Sequence, residues 1–158
     1  MAAETVRYEP DLPFPPYAYV PGLFPRPETA FGGDTTGQSF RYGVDLFNHG
    51  FYWEAHEAWE SAWNVYARAG EPAKLLKGLI HLTACGVKAR QHSLHGVEVH
   101  AGKAIVLLEN VREDLGIASL RSLTEQVKKV RETPSRFLSE SQENVVIVFD
   151  FRIELSRG

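Results

Sequence analysis

The segment Tyr52-Trp53-Glu54-Ala55-His56-Glu57-Ala58-Trp59-Glu60-Ser61-Ala62-Trp63 constrains the fold more than any other stretch, because it gathers all three tryptophans around a histidine and acids. Read as a helix, residues three and four apart share a face. Trp53, His56, Glu60 and Trp63 then lie on one stripe, with Tyr52 and Trp59 beside it. An imidazole and a carboxylate in such company are expected to sit in the tryptophan-lined interior, away from open water. Burying an unpartnered polar group costs roughly 2–7 kcal/mol, and a charge costs more. Three arrangements meet that cost: a closed polar network in the core, a metal ion, or a metal-free ligand pocket.

The rest of the chain predicts where this helix packs. At 158 residues and 44% hydrophobic content, one globular domain is expected. A net charge of −3 argues against nucleic acid or an anionic membrane surface as partner. The lone Cys85 excludes an internal disulfide, and neither a signal peptide nor a twenty-residue apolar run is present, so a cytoplasmic protein is expected. Seven of the nine prolines fall between Pro10 and Pro27, which predicts an extended arm over residues 1–36. Its rings, among them Phe14, Tyr17, Tyr19 and Phe24, predict that the arm wraps over a helical domain spanning 37–158.

Five helices are predicted in that domain, giving an all-α class. They run over about 39–49 (closed by Gly50), 51–67, 70–91 (opened by Pro72), 97–115 and 119–133 (opened by Ser119, stopped by Pro134). The fourth carries the clearest periodicity, at Val97, Ala101, Ala104, Leu108, Val111 and Leu115. The β-branched run 145–155 predicts one C-terminal strand, which needs a partner in the arm or in a second copy of the chain. A homo-oligomer through that strand is therefore an expectation. One helix pair, 42–63, has the offsets of a tetratricopeptide unit, but such units need about three copies for stability.

Chemistry in the motif turns on His56-Glu57-x-x-Glu60, a near neighbour of the zinc-protease pattern H-E-x-x-H. A histidine and a glutamate one turn apart supply two metal ligands of the usual three or four. His81 and His100, on the third and fourth helices, are the candidates to complete the shell around a divalent ion, with Glu57 as general base. Arg90 projects from the apolar arc of the third helix, either reaching past the helix end or pairing with Glu60 or Glu57. Cys85 is expected on the outer side of its helix as an inert thiol. The sequence holds no Ser-His-Asp arrangement and no phosphate-cradling glycine loop.

Phe47-Asn48-x-Gly50-x-Tyr52-x-Glu54-Ala55-His56-Glu57-x-Trp59-Glu60-x-x-Trp63, followed by Lys77-Gly78-Leu79-Ile80, resembles the bacterial and archaeal domain-of-unknown-function 309 family over about residues 40–112. That resemblance implies a compact helical bundle, an unassigned function, and a suggested metal role for the H-x-x-x-E-x-x-W motif. Here the motif is His56, Glu60 and Trp63. Two functions follow from the residues. The favoured one is a non-catalytic module that binds a ligand or partner through the bundle or its arm, with Tyr52, Trp53, His56, Glu60, Trp63 and Arg90 as binding or polar-core residues. The other is a metal-dependent hydrolase with His56, Glu60, His81 and His100 as ligands, so whether the chain is an enzyme stays open.

Overall fold

The computed structural model describes residues 6–25, 36–65 and 69–156. Helix α1 spans Thr36–Asn48, α2 Tyr52–Val65, α3 Gly70–Arg90, α4 Leu94–Glu109 and α5 Leu120–Glu132, followed by one 3-10 turn at Pro134–Phe137. Local chemistry explains the boundaries. Gly50 adopts φ +91, which lets its own N–H reach the Phe47 carbonyl at 3.2 Å and the Phe51 N–H reach Leu46 at 2.8 Å. Those two bonds satisfy the last carbonyls of α1 and turn the chain directly into α2. Ser93 and Ser119 cap α4 and α5 by accepting from the N–H groups of Gly96 and Ser122. Helix α4 stops at Glu109, short of the predicted reach to Leu115. Val111 and Leu115 still pack on the core, but from a turn in which Leu115 and Gly116 take positive φ, so apolar spacing outlasts the helix.

The helices approach closely where an aromatic ring lies on a glycine. Trp59 is fully buried and covers Gly43 of α1, while its indole N–H donates to the Phe40 carbonyl at 3.1 Å. A Cβ on Gly43 would stand 2.3 Å from the Trp59 Nε1. Tyr52 covers Gly86 of α3 in the same way, with a hypothetical Cβ 2.3 Å from its ring. Alanines 55, 58 and 62 complete the buried stripe of α2. Cys85 is corrected from the outer face to the interior: its thiol is buried against the Val97 carbonyl, and burial pushes its pKa up to about 12. The thiol is inert there, as its chemistry requires.

Two extended segments cross this bundle. In the arm, the Tyr8 and Glu9 N–H groups and the Arg7 Nε all donate to the buried Asp45 carboxylate, at 2.7, 2.8 and 3.1 Å. Further along, Tyr42 donates to the Pro13 carbonyl, Phe14 stacks on Phe51, and Ala18 and Val20 are buried. The C-terminal segment is the second crossing, and it corrects the predicted strand. Only an isolated bridge, Ile117 with Leu155, forms among the described residues, so no sheet is built. Its main chain bonds instead to side chains. Asn48 of α1 both donates to the Ile153 carbonyl and accepts from the Ile153 N–H, each at 2.8 Å. The Tyr52 hydroxyl accepts from Val148 N–H and that of Tyr8 from Leu155 N–H. With those groups satisfied inside the chain, the strand on which the expected oligomer rested is not formed. Among the described residues, no helix is long and apolar enough to cross a membrane.

Two stability measurements check this account. Gly43→Ala should lose about 1–3 kcal/mol in urea unfolding, because Trp59 is boxed in and its indole bond would have to shift. Asn48→Ala strands both polar groups of Ile153 and should cost about 2–4 kcal/mol.

Candidate functional site

Helix α2 distributes the motif over three surroundings. The inward stripe is Tyr52, Ala55, Trp59 and Ala62, not the stripe of Trp53, His56, Glu60 and Trp63. The small alanines let α2 lie close to its neighbours, so that row becomes the core and the tryptophan–histidine row is turned to the rim. The expected interior position of the His56–Glu60 pair is corrected accordingly. His56 Nε2 lies 3.1 Å from Glu60 Oε2, with side chains 29% and 47% exposed. The ring of Trp53 stands 5.4 Å from that of His56. Lys77 of α3 places its ammonium 4.6 Å over the Trp63 ring.

The third surrounding is the arm. Glu54 accepts the Tyr19 N–H at 3.0 Å while Trp53 meets the Tyr19 ring edge-on at 5.1 Å. Burial is the main influence on Glu54 and, with Glu57 nearby, outweighs the hydrogen bonds, raising its carboxyl pKa to about 7. The most perturbed acid of the motif is therefore Glu54, which the spacing argument passed over. Two other buried polar groups, Asp45 and Asn48, also escaped it. Their signal was a polar residue on the inward face of α1, which is expensive unless something local uses it.

His81 and His100 meet across α3 and α4 with their Nδ1 atoms 3.1 Å apart and ring centroids 5.4 Å apart. Two imidazoles at that separation bond only if one Nδ1 carries a proton and the other does not. Burial first, then His100, Lys77, Lys103 and His56, hold the His81 pKa down at about 4, and burial and two lysines lower that of His100. His56 is lowered by burial as well, against the pull of Glu60 and Glu57, and its Nδ1 is buried without a partner among the described residues. Both members of the α3–α4 pair are thus neutral at pH 7.

The residues named from sequence are only partly brought together. His56 pairs with Glu60, and His81 with His100; among the described residues, no group of three or more His, Cys, Asp or Glu side chains is arranged to hold a metal ion. Glu57 lies half-buried beside His56, which feels its charge. Tyr52 belongs to the core. Arg90 makes neither expected ion pair: its Nη2 donates to the Glu143 carbonyl at 2.7 Å, beyond the end of α3.

Comparison with known families agrees with the motif. The family model described as a domain of unknown function (DUF309) matches residues 40–99, which carry most of α1, all of α2 and α3, and the start of α4. No curated protein matches the chain significantly.

The two shifted groups pull stability in opposite directions with pH. Glu54 is protonated more readily in the folded chain, near pH 7, than at its ordinary 4.5, so the stability it contributes is full below about 4.5 and is lost as pH rises through 7. His81 accepts its proton near 4 when folded and near its ordinary 6.5 when unfolded, so its contribution is full above 6.5 and is lost on acidification toward 4. Glu54→Gln should remove the first limb: urea unfolding at pH 5 and pH 8 will show the variant gaining on wild type at the higher pH. NMR titration of the His81 ring should give a midpoint near 4.

Proposed function

We propose that this helical domain is a non-catalytic binding module, and that its binding face is the rim where α2 and α3 bring Trp53, His56, Glu60, Trp63, Lys77 and His81 together. The observation that carries this reading is the partly exposed His56–Glu60 pair with the Trp53 ring beside it, and the Lys77–Trp63 contact on the same row of α2. An imidazole–carboxylate hydrogen bond with that much access to water is worth about 0–1 kcal/mol, so exchanging it for a ligand's polar group costs the fold little. The indole faces beside it supply apolar area and an aromatic surface for that ligand. Lys77 adds a cation already desolvated on one side by Trp63.

The alternative, a metal-dependent hydrolase, requires three or four ligands converging on one ion. The described side chains offer His56 with Glu60 and His81 with His100 as two separate pairs. The binding reading uses the same residues without asking for that convergence.

A fragment screen by NMR on the full chain tests the proposal, with the indole N–H signals of Trp53 and Trp63 as reporters. Fragments should shift both signals, and the double variant His56→Ala/Glu60→Gln should abolish those shifts while staying within about 1 kcal/mol of wild-type stability. A loss of several kcal/mol would make the pair structural and overturn the reading. So would stoichiometric zinc uptake that depends on His56 and Glu60, which would favour the hydrolase.

A further inference from the structure

Arg90, the last residue of α3, is 3% exposed, yet only one of its three guanidinium nitrogens is satisfied. Nη2 donates to the Glu143 carbonyl at 2.7 Å, whereas Nε and Nη1 are buried with no acceptor among the described residues. No carboxylate among the described residues reaches the group, and burial draws its pKa down against only a weak pull from Tyr52. The Phe24 ring lies 5.9 Å from Cζ, which offers partial and not ionic compensation. A buried charge with unused donors is costly, and an apolar side chain of similar size is often neutral or more stable at such a place. Its presence at the end of α3 therefore points to an anion supplied from outside.

A cavity of about 400 Å³ opens at this point. Val20, Pro21 and Leu23 of the arm form its apolar side, Arg90 and His92 its α3 side, and Glu140 a further wall. Gln91 fixes the arm there by donating to the Pro21 carbonyl at 3.0 Å. His92 and Glu140 pair with each other at 3.4 Å with largely exposed side chains, so a single positive group, Arg90, is left without an anion.

We propose that Arg90 is the anion-binding residue of a site for a small organic monocarboxylate whose apolar body rests on Val20, Pro21 and Leu23. One guanidinium neutralises one carboxylate. Glu140 in the wall disfavours a second negative charge, which separates this ligand from a phosphate dianion. The site is independent of the rim described above: nine residues of helix, about 13 Å of rise, separate Arg90 from His81.

The test is titration of the 15N-labelled full chain with hexanoate, with its neutral isostere hexanamide, and with inorganic phosphate. Hexanoate should shift the amides of Leu23, Gln91 and Ser141 saturably, hexanamide should bind about tenfold or more weakly, and phosphate should give no saturable shift. Arg90→Met should melt at or above the wild-type temperature and lose the hexanoate response. Arg90→Gln, which keeps a donor for the Glu143 carbonyl, should fold and lose it too. Equal binding of hexanoate and hexanamide, saturation by phosphate alone, no response in wild type at millimolar concentration, or wild-type binding by either variant would overturn the proposal. Failure of both variants to fold would assign Arg90 to the fold instead. None of these outcomes bears on the His56–Glu60 rim.

Discussion

Contact between bare glycine backbone and a large ring holds α1, α2 and α3 at their working distance. Trp59 lies on Gly43 and Tyr52 on Gly86, seven residues or about two turns apart on the buried stripe of α2, so α2 is gripped on two sides by its own aromatics. A glycine at the contact removes the Cβ that would keep the ring away, and the ring fills the volume thereby released. Each ring also spends its polar atom locally, the indole N–H on Phe40 and the phenol on Val148. Burial pushes the Tyr52 hydroxyl's pKa well up, so it stays a neutral partner for the tail throughout the physiological range.

Once the helices are set, polar side chains on them do the work that a sheet does elsewhere. Asp45, Asn48, Tyr52 and Glu54 together bind main-chain groups of both extended segments. These are buried or half-buried donors and acceptors with partners, so their desolvation is offset where they stand. The arm and tail are thus tied to the bundle through specific residues, and α1 and α2 carry nearly all of them. This explains why a run as β-branched as 145–155 lies extended without pairing to another strand: Asn48 offers Ile153 the two bonds that a neighbouring strand would have offered.

The same helix that grips the core also presents the rim. Because α2 turns its alanine row inward, its tryptophan–histidine row is left at the boundary with solvent, where His56 and Glu60 are partly exposed. Groups of the motif are therefore divided: Trp59 and Tyr52 build the core, Glu54 clasps the arm, His56 pairs with Glu60, and Trp63 carries the Lys77 ammonium over its ring. His81 and His100 pair on the neighbouring helices α3 and α4, both neutral at pH 7 because burial and neighbouring lysines oppose their charging.

Much of this was legible in the residues. Proline and glycine punctuation, the serine caps and the 3–4 spacing of apolar groups set out five helices, because those signals act within one turn of the chain. Gly50 marked the end of α1 for the same local reason. Which row of α2 faces inward was not legible, since tryptophans and alanines compete for that place and the choice depends on whether a neighbour supplies a glycine. The pairing of the tail with Asn48 and the environment of Arg90 likewise depend on residues 105 and 53 positions away. The sequence by itself determined the helical class, the element order and the motif's place on α2, through short-range periodicity and capping. Only the tertiary structure decided which of those side chains are buried, paired or open, because burial is a property of what packs against a residue and not of the residue itself.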